Sequence, residues 1–260
     1  FMKRKLPPHS FEDYLHYLFF LPTFLIGPIN RFPNFKQDLI RRRWDAQMAS
    51  YGLERILYGY FKITVLGNFL LSNQLAAAAL RLQESRPWWG TYLEAVKYFM
   101  NSYFQFAGYS DIAIGLAALM GFRVMENFNF PFLARNVNDF WNRWHISLSA
   151  FARDYIYMPF VSMSRKPLVA ILLTMLAIGL WHEFTARYVL WGLLHAMGVG
   201  VWHLFNQSRV GQGFNSRPAL WKTTLSIFLT FNYVVFTFAL IMRDDLAGGW
   251  AALRVLLGLN

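Results

Sequence analysis

Stretches of 15 to 25 residues with at most one charge recur along this chain and alternate with short charged patches. A membrane-crossing helix needs about 20 mostly apolar residues. Residues 14–29 are uncharged but contain Pro22 and the Gly27–Pro28 pair, which predict a helix broken before a loop at Asn30–Asn34. Residues 63–80 end in an AAAAL run, and residues 98–122 carry one charge, Asp111. Residues 167–181 are short for a straight span, 188–205 contain His195 and His203, and 223–242 carry no charge. This pattern predicts about six spanning or nearly spanning helices, with shorter pieces lying in or dipping into the membrane. Alternating segments of about ten residues, the mark of a membrane β-barrel, do not occur. No repeat or linker divides the chain, so residues 1–260 are expected to form one membrane domain. Residues 207–216 (QSRVGQGFNS) read as a loop.

One segment departs from simple apolar patterning. On a helical wheel over residues 138–153, Trp141, Trp144, Leu148, Phe151 and Tyr155 form an apolar stripe, spaced 3, 4, 3 and 4. Asn138, Asn142, His145, Ser149 and Arg153 form a polar stripe, spaced 4, 3, 4 and 4. Such a helix is expected at the interface or along a polar cavity, with His145, Asn142 and Ser149 on one wall.

Composition supports a membrane setting. Hydrophobic residues make up 56% of the chain and charged residues 15%, against roughly 25% charged in an average soluble domain. The net charge of +11 is clustered between apolar runs, as in Lys3–Lys5 and Arg41–Arg43. That placement suits topology-setting loops and anionic lipid headgroups; no nucleic-acid partner is expected. There is no cysteine, which excludes disulfides, thiolate metal sites and an acyl-cysteine intermediate on this chain.

Familiar catalytic motifs fail. His182–Glu183 begins an H-E-x-x-H pattern, but position 186 is Ala. Gly108-Tyr109-Ser110-Asp111-Ile112 lacks the final glycine of a nucleophile elbow. No P-loop or complete dinucleotide fingerprint occurs. Histidine in apolar surroundings remains, and a neutral imidazole is a ready general base. His182 ends an apolar run after Trp181. His195 and His203 read as helix-packing residues, and His9 and His16 as peripheral.

FLPTFLIGPINRF (Phe20–Phe32), the stretch Tyr103–Phe160 ending in DFWNRWHISLSAFARDYIYMPF, LLTMLAIGLWH (Leu172–His182) and YVLWGLLHA (Tyr188–Ala196) resemble the membrane-bound O-acyltransferase family. The likeness is strongest to its bacterial branch, with alginate O-acetylation and teichoic acid D-alanyl transfer. The resemblance implies an all-α polytopic bundle, with spanning and shorter re-entrant or interfacial helices around a central tunnel, in the inner (cytoplasmic) membrane. It implies that the chain is a short member or a C-terminal part lacking N-terminal helices. The family's two signature positions fall on His182, the expected base, and on His145. Asn142, Trp144, Ser149, Arg153, Ser110, Asp111 and Glu183 are candidates for binding donor or substrate. Asn142 is placed to stabilise an oxyanion and Arg153 to hold a phosphate. The implied chemistry is transfer of an acetyl or D-alanyl group from a thioester, an acyl-CoA or a phosphopantetheinyl carrier protein, with no permanently bound cofactor. The implied acceptor is a hydroxyl of an envelope polysaccharide or teichoic acid, with other envelope-modification proteins as partners. The alternative is a non-catalytic transporter or scaffold subunit of such a system. Two departures stand out. Glu183 follows the histidine where the bacterial branch has glycine, and MPFVSMSRKP lacks the Gly-Gly-Asn-Arg run of the alginate group.

Overall fold

The computed structural model describes residues 6–24, 26–42, 44–216 and 219–259. The Lys3–Lys5 cluster and Arg43 lie outside them. Helices account for the regular structure, with no strand among the described residues. They are α1 (Phe11–Leu18), α2 (Leu21–Phe24), α3 (Phe32–Arg41) and α4 (Ala46–Phe61), which continues through a π-helical stretch (Lys62–Leu75) into α5 (Ala76–Ser85). Next come α6 (Pro87–Leu119), α7 (Val137–Arg143), α8 (Ile146–Ala152), α9 (Met158–Ser164) and α10 (Pro167–His182). The chain ends with α11 (Ala186–Gln207), α12 (Arg209–Asn215), α13 (Leu220–Ile241) and α14 (Leu246–Leu256).

Among the described residues, three helices are long and apolar enough to cross a membrane: Ala46–Ser85, Ala186–Gln207 and Leu220–Ile241. Of the roughly six spanning or nearly spanning helices expected, these three have full spanning length, and Pro167–His182 and Leu246–Leu256 are shorter apolar helices. The run at residues 14–29 breaks into α1 and α2, and Asn34 lies inside α3, which begins at Phe32. The 16 residues of α10 rise only ~24 Å, short of a ~30 Å hydrocarbon layer. In α6, Glu94, Lys97, Asn101, Gln105 and Asp111 dilute the apolar character. Residues 209–215, read as loop, form α12, with Ser208 accepting from the Gly211 N–H as its N-cap.

The chain divides into two compact units. The first comprises residues 1–72, 100–129 and 145–148. Its core gathers Phe20, Phe35, Ala117 and Phe122, with Phe35 stacked on Phe122 at 5.2 Å. Between lipid-embedded helices the hydrophobic effect has little to act on, so close packing of small residues carries association. Gly52 and Gly59 of α4 lie against the Gly115 and Gly108 carbonyls of α6, where an added Cβ would collide with backbone. Within this glycine seam, Asp111 is salt-bridged by Arg55 and by Lys62. Arg55 also forks onto both carboxylate oxygens of Glu126, each at 2.8 Å.

The second unit comprises residues 73–99, 130–144 and 149–260. Its α10 and α11 pack closely, because Gly192 allows the Met175 carbonyl to approach. Phe99, Phe140, Trp144 and Phe238 form an aromatic core, with Phe140 stacked on Trp144 at 5.4 Å.

Candidate active site

Residues 138–153 do not form one helix. Trp144 is extended (φ −104°, ψ 128°), and His145 adopts a left-handed backbone with φ 44°. For a residue with a Cβ this conformation costs about 1–2 kcal/mol. The break removes the common face that the wheel assigned to Asn142, His145, Ser149 and Arg153, because the 3.6-residue period restarts at α8. The predicted polar stripe is thus overturned.

Asn127 closes the break. Its backbone carbonyl accepts from the Ile146 N–H at 2.9 Å. Its side-chain oxygen accepts from the Ser147 N–H at 3.2 Å and the Ser147 hydroxyl at 2.8 Å. Asn127 therefore supplies from a distant loop the caps that an N-cap residue normally gives α8. The same oxygen lies 3.2 Å from His145 Nδ1, and the amide nitrogen donates to Ser110 Oγ at 3.2 Å. Phe106 meets the His145 ring edge-on at 4.6 Å. His145, Asn127, Ser110 and Ser147 are all buried. Ser110 is linked to the histidine's surroundings through Asn127, which the sequence reading missed. The available signal was an amide immediately before the aromatic run Phe128–Phe132.

In the second unit, His182 ends α10 and is exposed. Its ring stacks against Tyr188 at 5.8 Å and contacts Trp181 at 4.9 Å and Trp191 at 5.6 Å. Trp191 is buried, and its indole N–H has no acceptor among the described residues. Glu183 is turned to Arg187, 2.5 Å away. Arg187 also bonds the Arg243 carbonyl, and Arg243 pairs with Glu94 at 2.6 Å. The Glu183 carboxylate therefore secures the α10–α11 corner.

His195 is fully buried, and both ring nitrogens are engaged: the Trp141 indole donates to Nδ1 at 3.2 Å, and Nε2 meets Thr237 Oγ1 at 3.0 Å. This is the packing role expected of it. Other candidates occupy structural contacts. Trp144 belongs to the aromatic core, Ser149 donates to the Trp144 carbonyl at 3.2 Å, and Asp111 is held by its two cations. Arg153 is exposed beside Asp154 at 3.1 Å, and Asn142 is exposed on α7.

The chain is 31% identical to a teichoic acid D-alanyltransferase of Bacillus subtilis (strain 168), covering 91% of this chain and 62% of the relative. It is 32% identical to a probable alginate O-acetylase of Pseudomonas aeruginosa, over 93% of this chain and 45% of the relative. A peptidoglycan O-acetyltransferase of Helicobacter pylori is 28% identical, over 98% of this chain and 49% of that protein. The chain thus spans 45% to 62% of the length of these relatives. The model of the membrane-bound O-acyltransferase family matches residues 2–238, and the chain belongs to that family.

Proposed function

We propose that this chain carries the transfer site of a multi-pass O-acyltransferase of the inner membrane, moving an acyl group from a thioester to a hydroxyl of an envelope polymer. His182 is the general base: it takes the hydroxyl proton as that oxygen attacks the thioester carbonyl, and the thiolate leaves. No cysteine is needed, because the acyl group passes directly from donor to acceptor. Trp191 offers its N–H beside the base, where it suits a substrate oxygen that gains charge in the transition state. His145 helps to position the donor. The donor is an acyl-CoA or a carrier-bound phosphopantetheine thioester, and the acceptor is a polysaccharide or teichoic acid hydroxyl.

The carrying observation is the contrast between histidines. His195 has both nitrogens engaged by protein groups, whereas His182 is exposed, and neither of its nitrogens has a hydrogen bond among the described residues. A base must keep a lone pair open to its substrate. The reading is tested by incubating the protein in lipid nanodiscs with an acyl thioester and a hydroxyl acceptor, and following acceptor mass. Acyl addition by the wild type, lost in His145→Ala and His182→Ala at equal protein levels, is expected. Unimpaired addition by both variants would rule it out.

A further inference from the structure

We propose that Asn127 is a positioning residue for His145, dictating which ring nitrogen holds the proton. The inference rests on the reading of His145 as part of the transfer site, but its evidence is geometric. A backbone N–H can only donate, so the side-chain atom of Asn127 that faces the Ser147 N–H is the oxygen. The amide nitrogen then faces Ser110 Oγ, which has lone pairs to accept it. Both ends of the amide agree on one orientation. That oxygen also meets His145 Nδ1 at 3.2 Å. An oxygen acceptor there requires Nδ1 to carry the hydrogen, so the neutral ring has its lone pair on Nε2.

His195 has the opposite arrangement. The Trp141 indole can only donate, so His195 Nδ1 is the acceptor. Thr237 donates its single hydroxyl proton to the Val234 carbonyl at 2.8 Å, so its oxygen accepts from His195 Nε2–H. One chain thus holds two buried histidines in opposite tautomers, each fixed by a group that can play only one role. The left-handed backbone at His145 points the same way. It sets the ring beside Asn127 at a helix break whose two caps Asn127 also provides. The Arg55–Glu126 fork anchors the residue immediately before Asn127. The result is that, in the neutral ring, the His145 lone pair lies on Nε2.

The test is 15N NMR of histidine-labelled protein in lipid nanodiscs at pH 8, with the His145 signals assigned by their loss in His145→Gln. The wild type should show a protonated Nδ1 and a lone pair on Nε2. Asn127→Ala should move the proton to Nε2 and lower kcat about tenfold with KM unchanged. Asn127→Asp, which keeps an acceptor oxygen, should retain the wild-type tautomer. A wild-type signal with the proton on Nε2 would overturn the proposal, and that spectrum decides even where Asn127→Ala fails to fold. So would an unchanged tautomer in Asn127→Ala. The spectrum needs no turnover, so a wild type that transfers no acyl group would sink the reading of the site and leave the Asn127 clamp standing.

Discussion

The indole N–H of Trp141 donates to Nδ1 of His195 at 3.2 Å, and both residues are buried. With Thr237 on the other nitrogen, the imidazole is a fully satisfied link between α7, α11 and α13. Removing it orphans the indole donor and the threonine oxygen, each worth about 1–3 kcal/mol when buried. His195→Ala is therefore expected to lose about 2–4 kcal/mol of stability, with near-normal activity per folded molecule. Thermal unfolding followed by tryptophan fluorescence measures the first, and a transfer assay the second. Full stability with lost activity would make His195 part of the chemistry.

Asp111 neutralises two cations within a glycine-lined helix seam. Breaking a buried ion pair from one side costs about 3–5 kcal/mol, because it leaves uncompensated charge. Asp111→Ala should lower the unfolding temperature and the yield of folded protein, with specific activity following the folded fraction. A variant that melts normally but transfers slowly would instead place Asp111 at the substrate.

Trp191→Phe keeps an aromatic ring beside His182 and His195 and removes the N–H together with part of the bicyclic indole. If that N–H serves a developing oxyanion, kcat per folded molecule should fall about 10²-fold, beyond the modest loss of melting temperature that the smaller buried ring brings. An unchanged kcat would exclude the role.

Asp13 belongs to the capping box of α1 and pairs with Lys36 at 2.5 Å. The hydrogen bond from Lys36, then that from the Ser10 N–H, lowers its pKa from 3.8 to about 2. A folded pKa below the unfolded one stabilises α1 above pH 3.8, and this support is lost as pH falls towards 2. NMR titration of the Asp13 carboxyl should give a midpoint near 2, rising towards 3.8 in Lys36→Ala. A wild-type midpoint near 3.8 would contradict the pairing.

The sequence disclosed some of this and not the rest, for physical reasons. The spans at Ala186–Gln207 and Leu220–Ile241 were legible because apolar length alone sets them. The packing role of His195 was legible from its place on such a helix. The break at Trp144–His145 was not, because a wheel assumes unbroken helical dihedrals. The caps that permit the break come from Asn127, 18 residues before His145. Glu183 was conspicuous as a departure, but its partnership with Arg187 competes with several roles a carboxylate can take beside a histidine. The ion pair that engages Asp111 depends on how α4 packs on α6, which a pattern of single helices does not encode.

The central claim is that His182 takes the acceptor's proton. The most direct measurement is the single-turnover rate of acyl transfer in His182→Ala, at saturating thioester and acceptor and matched amounts of folded protein. Loss of a general base should slow that step by about 10²–10⁴-fold. A rate within about threefold of the wild type would remove His182 from the chemistry, because it lies well below the contribution expected of any general base.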